Sequence, residues 1–81
     1  MGGARELAAF AHTLRRIRRE RDLSQRAPAG AAGLAEKHVS EIERANREPK
    51  LTTILKLAKG LGVPAGELIA EVAARLQGDT D

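Results

Sequence analysis

The chain has 81 residues and a formal net charge of +3, and its composition excludes several kinds of protein. It contains no cysteine, tryptophan or tyrosine, and Phe10 is its single aromatic residue. Disulfides, thiolate metal sites and cysteine nucleophiles are therefore excluded, and an aromatic platform for single-stranded bases is not expected. No apolar run reaches the roughly 20 residues of a membrane span. No signal peptide is visible, so we expect one cytoplasmic domain.

Basic residues concentrate in the first part of the chain. Residues 1–50 hold 11 Lys+Arg against 7 Asp+Glu, whereas residues 51–81 hold 3 against 4. The arginines that make up most of the excess are Arg15, Arg16, Arg18, Arg19, Arg21 and Arg26. Such a face is typical of a surface that binds phosphate groups, but a solvated helix face has the same pattern.

The first half of the chain predicts two helices. Apolar residues spaced three and four apart indicate an amphipathic helix over about residues 4–21. Its stripe is Leu7, Phe10, Leu14 and Ile17. Ser24, an N-cap residue type, then opens a short second helix, and Gly33 can end it by adopting a positive φ.

The second half predicts three more helices. Glu36–Arg44 has Val39 and Ile42 on its inner face, and Pro49 then ends a loop. A fourth helix follows, with Thr52 or Thr53 as its N-cap, and Gly62 stops it. The last helix covers Ala65–Leu76, and its apolar stripe is Leu68, Ile69, Val72 and Leu76.

Several short stretches in this order carry a resemblance to a known family. They are LSQ at 23–25, Ala29, Gly33-Leu34, VSEIER at 39–44 and LKLAKGLGVP at 55–64. Over about residues 14–69 the chain resembles the phage-repressor/Cro-type helix-turn-helix family of DNA-binding regulators. Stand-alone regulators of this size resemble the controller proteins of restriction-modification systems and small phage- or plasmid-type repressors.

The resemblance implies an all-α fold, a compact five-helix domain of the phage-repressor-like type. We expect one domain over residues 1–81, with its core at 5–77. The helix-turn-helix would lie at about 24–44, and the C-terminal helix at 65–77 would serve dimerisation.

Pro28 departs from the family pattern. It stands where the family usually has a buried leucine, it lacks an N–H, and it biases Ala27 away from helix. One interpretation is a second helix that starts late or is distorted, and the other is a normal helix from Ser24. In either case the position of Gln25 is open.

The resemblance also implies which residues contact bases. A helix fits the major groove of B-DNA and reads base edges with residues near its N-terminus. On the recognition helix, 36–44, the candidate base contacts are Glu36, Lys37, His38, Ser40 and Glu41. Glu36 has a second interpretation, because a carboxylate in the first turn also complements the helix dipole.

Phosphate contacts are expected at other positions. By resemblance they are Gln25, Arg44, Asn46 and Arg47. At most one of Arg15, Arg16 and Arg19 is expected to join them. Arg18 and Glu43 match a pair that family members join in a salt bridge, which would brace the first helix against the recognition helix.

A homodimer on a palindromic operator is expected, because one recognition helix reads only a few base pairs. The candidate interface is the stripe Leu68, Ile69, Val72 and Leu76. The alternative is that this helix folds back onto its own core. Double-stranded DNA and a second copy are thus the expected partners.

The main competing hypothesis is a protein-interaction module, such as an antitoxin or an adaptor with weak or absent DNA binding. An enzyme is not expected, because the sequence offers no set of nucleophile and base. His12 and His38 are 26 positions apart with no cluster of carboxylates, so neither a metal site nor a cofactor is expected.

Overall fold

The computed structural model describes residues 3–21 and 33–78, and these residues form four α-helices. The helices are α1 (Ala4–Glu20), α2 (Glu36–Glu43), α3 (Leu51–Leu61) and α4 (Ala65–Gly78). The described ranges contain no β-strand. They therefore account for four of the five expected helices in an all-α fold. The predicted second helix lies outside the described residues, as do Ser24, Gln25, Arg26, Pro28 and Ala29.

One apolar core joins all four helices. Its fully buried side chains include Leu14 of α1, Val39 and Ile42 of α2, Leu57 of α3 and Leu68 of α4. The stripes predicted by the three-and-four spacing thus face one another. Both α2 and α4 pack against α1, and α3 packs against α4. The first helix thus supports α2 and α4, and α3 joins the domain through α4.

The end of α2 is a tight turn around Ala45. The Ala45 N–H donates to the Ile42 carbonyl at 3.0 Å, and the Asn46 N–H donates to the Glu41 carbonyl at 2.9 Å. This pair of bonds satisfies carbonyls that a helix end leaves open. Ala45 has φ 58°, a left-handed conformation that costs a non-glycine residue about 1–2 kcal/mol. Arg44 is the C-cap, so the helix ends one residue earlier than predicted.

The end of α3 has the same hydrogen-bond pattern with glycine in the left-handed position. Gly62 has φ 77°, and the Val63 N–H donates to the Ala58 carbonyl at 3.0 Å. The prediction that Gly62 stops this helix is confirmed. Gly33 also has the positive φ expected of it, 72°.

The start of α3 corrects a prediction. The N-cap is Lys50, with an extended backbone and no side-chain cap, so neither Thr52 nor Thr53 caps the helix. Thr53 instead points inward and is 8% exposed. A threonine cap contributes only about 1 kcal/mol, and burial of the α3 inner face sets the register instead.

The last helix corrects a second prediction. Leu68 is fully buried and Val72 is 8% exposed, and Leu76 packs against the same core. These side chains fold back onto α1, so the expectation that Leu68 and Val72 face a second copy is wrong. The stripe is apolar because it completes the core of one protomer. Ile69 is the exception among the four predicted residues, with 44% exposure.

Candidate nucleic-acid interface

The outer side of α2 is polar, and the predicted base contacts lie on it. Glu36 and Lys37 are exposed, whereas His38, Ser40 and Glu41 are half-buried. Val39, Ile42 and Glu43 are the buried residues of the same helix. A helix that spans eight residues and buries one narrow face leaves the rest of its surface open to a partner.

A salt bridge fixes α2 against α1. Arg18 Nε lies 2.6 Å from Glu43 Oε2, and Arg18 Nη2 lies 3.0 Å from Glu43 Oε1. The guanidinium therefore engages the carboxylate with two parallel bonds, a geometry that holds both planes in one orientation. The side chains are 12% and 2% exposed. The predicted bridge between Arg18 and Glu43 is confirmed.

A second arginine of α1 holds the backbone at the same point. Arg15 Nη1 donates to the Glu43 carbonyl oxygen at 3.1 Å. This carbonyl is at the C-terminal end of α2, where the helix dipole favours a cation. Glu43 is thus held by both its side chain and its main chain, and Arg15 supports the helix from α1.

The turn after α2 presents the predicted phosphate contacts. Arg44, Asn46 and Arg47 are all exposed. Arg47 Nη1 lies 3.3 Å from Glu41 Oε1, which joins a predicted phosphate contact to a predicted base contact. An exposed pair of this kind contributes about 0–1 kcal/mol. It can therefore be exchanged for a bond to another anion at little cost. The fourth predicted phosphate contact, Gln25, lies outside the described residues.

The other arginines of α1 do not form one free basic face. Arg16 donates to Glu20 at 2.7 Å, and it also donates to Glu71 of α4. The hydrogen bonds to Glu20 and Glu71 raise the pKa of the Arg16 guanidinium above its ordinary value. Arg19 is exposed. Of the three arginines weighed as an additional phosphate contact, two are thus engaged with other parts of the protein.

No pattern in the sequence predicts the pairing of Arg16 with Glu71. The spacing of four between Arg16 and Glu20 is a visible helical signal. Glu71 is 55 residues away from Arg16, and no local pattern connects them. The same holds for the contact of Arg15 with the Glu43 carbonyl, because main-chain acceptors leave no mark on sequence.

The described part of the chain holds neither a cluster of metal ligands nor a membrane-spanning helix. Within residues 3–21 and 33–78, no three His, Asp or Glu side chains come together as metal ligands. In the same ranges, no helix combines the length and apolar character required to span a membrane. His12 lies on α1 and His38 on α2, and both are half-buried.

The arrangement of helices and the sequence define the class of the protein. The family model described as helix-turn-helix domain matches residues 9–77. The chain belongs to this helix-turn-helix family.

Two relatives are, by name, a transcriptional repressor and a control protein. The chain is 39% identical over 62 residues to the cryptic phage CTXphi transcriptional repressor RstR of Vibrio cholerae, a match that covers 76% of this chain and 56% of that repressor. It is 33% identical over 64 residues to the control protein C.MunI of a Mycoplasma species, covering 78% of this chain and 86% of C.MunI. The chain thus spans little more than half the length of the Vibrio repressor.

A solved structure is similar as well. The restriction-modification controller protein C.AhdI of Aeromonas hydrophila has a TM-score of 0.73 and 39% sequence identity to this chain. The match covers 76% of this chain and 94% of C.AhdI. The expected resemblance to phage repressors and restriction-modification controller proteins is confirmed.

Proposed function

We propose that this protein is a sequence-specific, double-stranded DNA-binding transcriptional regulator that acts as a homodimer on a palindromic operator. In this proposal residues 36–44 enter the major groove. The observation that carries it is the position of α2, whose polar side is open while its C-terminal end is fixed to α1 through Glu43. A base-reading helix must be held rigidly, because a side chain reads a base edge only at hydrogen-bond distance.

The polar residues divide into two roles in the proposal. Lys37 is exposed near the start of α2 and can donate to guanine O6 and N7. Arg44, Asn46 and Arg47 lie beyond the end of the helix and contact phosphates, which position the protein without reading sequence. When DNA binds, a phosphate takes the place of Glu41 beside Arg47, and the Glu41 carboxylate becomes available to accept from cytosine N4.

Selection of bound duplexes from a random library tests this proposal. We expect one enriched sequence with two-fold symmetry, and half-sites about one helical turn apart. Binding should also weaken as salt rises, because neutralised phosphates release counterions. Recovery of no duplex above background would instead favour the protein-interaction module.

Two substitutions separate the roles of base and phosphate contacts. Lys37→Ala should relax the sequence preference at one position of each half-site, at a cost of about 1–3 kcal/mol in discrimination. Arg47→Ala should weaken binding to all sequences similarly and reduce the salt dependence. Lys59→Ala, an exposed cation in the last turn of α3, is the matched control and should leave both properties unchanged. Identical sequence profiles for Lys37→Ala and the parent would contradict the assignment of α2.

For the homodimer, we propose an interface different from the stripe that the sequence suggested. Two large apolar side chains of α3 are exposed, Leu51 at 70% and Leu55 at 50%. Leu51 and Leu55 are four residues apart and share one face of α3. In an isologous interface each such residue is buried twice, once in each subunit.

Sedimentation measures the oligomeric state directly. Leu55→Glu should shift the protein to monomers and lower its affinity for a palindromic site, because a carboxylate would be buried without a partner. Ala74→Glu introduces the same charge at an exposed position of α4, away from Leu51 and Leu55, and should leave the mass unchanged. If Leu55→Glu remains a dimer, the proposed interface on α3 is wrong.

A further inference from the structure

An apolar groove opens on the side of the domain between the start of α1, the loop before α3, and α4. Its volume is about 370 Å³. The apolar walls are Leu7, Phe10, Pro49, Ile54, Ile69 and Val72. Ligand sites in proteins fall in the range of about 300–1,000 Å³, and most are lined by apolar side chains with a few polar groups. The groove has the size and the lining for a small ligand.

The polar groups at the mouth are two carboxylates. Glu6 and Glu48 line the groove together with Gly3. The point where a β-carbon on Gly3 would stand lies 3.8 Å from Glu48 Oε1 and 4.0 Å from Glu6 Oε1. The two oxygens are therefore less than about 8 Å apart, and a cationic nitrogen midway between them would lie within about 4 Å of each. Within residues 3–21 and 33–78, neither carboxylate forms an ion pair.

The local charge is opposite to that of the protein as a whole. The chain has a net charge of +3, yet this mouth carries two negative side chains. The N-terminal ends of α1 and α3 lie nearby, with Gly3 and Lys50 as their N-caps. Each helix end contributes about half a positive charge. Lys50 is exposed and does not line the groove, whereas Glu6 and Glu48, the charged side chains of the described residues that do line it, are both carboxylates. A cation is therefore favoured over an anion.

We propose that the groove binds a small organic cation, an ammonium or amidinium group attached to an apolar body. The apolar body fills the space beside Phe10, Ile54 and Ile69, and the cation lies between Glu6 and Glu48. An apolar group without charge would leave the carboxylates unpaired, and an anion would be repelled by them. The site goes beyond the proposed function, since neither α2 nor DNA takes part in it.

The groove is next to the segment that we propose contacts phosphate. Glu48 and Pro49 directly follow Arg47 in the chain, and Glu48 and Pro49 both line the groove. A ligand in the groove therefore contacts the two residues that follow Arg47, a proposed phosphate contact, and can shift the position of that side chain. This consequence, unlike the binding itself, rests on the proposed function.

Titration of the full chain with two matched probes tests the site. The phenylbutylammonium ion and phenylbutyrate have similar apolar bodies and opposite charges. We expect the cation to bind with a dissociation constant in the millimolar range, about what a ligand of its size can reach. The anion should bind at least about tenfold more weakly. Backbone amide shifts in an NMR titration should locate the cation at Leu7, Phe10 and Ile54.

Single substitutions identify the charges that select the cation. Glu48→Gln and Glu6→Gln should each weaken binding of the ammonium probe about fivefold, the effect of one partly exposed ion pair. Glu67→Gln removes the same charge from an exposed position outside the groove and should leave binding unchanged. These changes remove no apolar group from the core, so the variants should fold like the parent.

Several results would overturn the proposal. They are equal binding of both probes, equal effects of Glu48→Gln and Glu67→Gln, and amide shifts elsewhere in the protein. Loss of ammonium binding as protein concentration rises would show that a second copy occupies the groove instead. The protein could bind the ammonium probe in the groove and yet recover no duplex from the random library. That result would support this inference and contradict the proposed function.

Discussion

The joint between α1 and α2 and the joint between α1 and α4 each contain an arginine–glutamate pair, but only one pair is buried. Arg18 and Glu43 are 12% and 2% exposed, whereas Arg16 and Glu71 are 39% and 38% exposed. Both joints carry apolar core residues, Leu68 and Val72 on α4 and Val39 and Ile42 on α2. The α2 joint adds a second polar contact, from Arg15 to the Glu43 carbonyl.

The two joints therefore differ in how firmly they orient their helices. A buried ion pair contributes little net stability, because desolvation offsets most of the attraction. It does hold two groups in one geometry, as the two parallel bonds of Arg18 do. Apolar packing stabilises α4 without demanding one orientation of charges. Apolar burial therefore holds both helices, and α2 is in addition oriented by a buried ion pair.

The largest expected effect is at the buried pair. Glu43→Gln should destabilise the protein by about 3–5 kcal/mol, because it leaves the Arg18 guanidinium buried without its counter-charge. Urea unfolding followed by circular dichroism measures the change. A loss of less than about 1 kcal/mol in the free energy of unfolding would show that the buried Arg18–Glu43 pair stabilises the protein no more than an exposed pair does.

A double substitution sharpens this test. Arg18→Leu combined with Glu43→Leu removes both charges, and apolar replacements of buried pairs are often neutral or stabilising. We expect unfolding close to that of the parent but weaker DNA binding, because α2 loses its fixed orientation. Parental DNA affinity in this variant would show that the bridge does not position the helix.

The turns that follow α2 and lead into α4 extend the comparison. Ala45 and Gly62 have similar φ values of 58° and 77° and the same pattern of hydrogen bonds. Ala45→Gly should stabilise the protein by about 1 kcal/mol, because it removes left-handed strain. Gly62→Ala should destabilise it by about 1–2 kcal/mol. A β-carbon there would have its nearest neighbour at 3.8 Å, so the cost comes from the backbone and not from a clash.

Thermal unfolding of Ala45→Gly and Gly62→Ala measures both changes in stability. Shifts in opposite directions are expected. A loss of stability in Ala45→Gly would mean that the turn beside the proposed phosphate contacts is not strained.

The smallest effect is expected at the exposed pair. Glu71→Gln should change the free energy of unfolding by about 0–1 kcal/mol, since solvent screens both side chains. High salt should abolish even this difference. A loss as large as that of Glu43→Gln would erase the contrast between the two joints.

Much of the fold was predictable because it is local. The three-and-four spacing of apolar residues placed α1, α2, α3 and α4 within a few residues of their observed bounds. Gly62 marked the end of α3. The bridge of Arg18 with Glu43 came from resemblance to a family, since no spacing within one helix joins residues 25 apart.

The site was predictable in part. Polar residues at 36, 37 and 41 had to face away from a core made by Val39 and Ile42, and they do. The pattern did not separate the apolar side chains that are buried from those that stay exposed. Leu68 and Leu55 both look like apolar stripe residues, but Leu68 is buried and Leu55 is 50% exposed.

Local patterns of residues set which segments are helical and where α3 stops, because apolar periodicity and a glycine with positive φ act within a few residues. The packing of the helices sets which apolar faces are covered, which carboxylate each arginine pairs with, and where Glu6 and Glu48 come together. Those outcomes depend on helices far apart in the chain packing on α1, and no local pattern of residues contains that information.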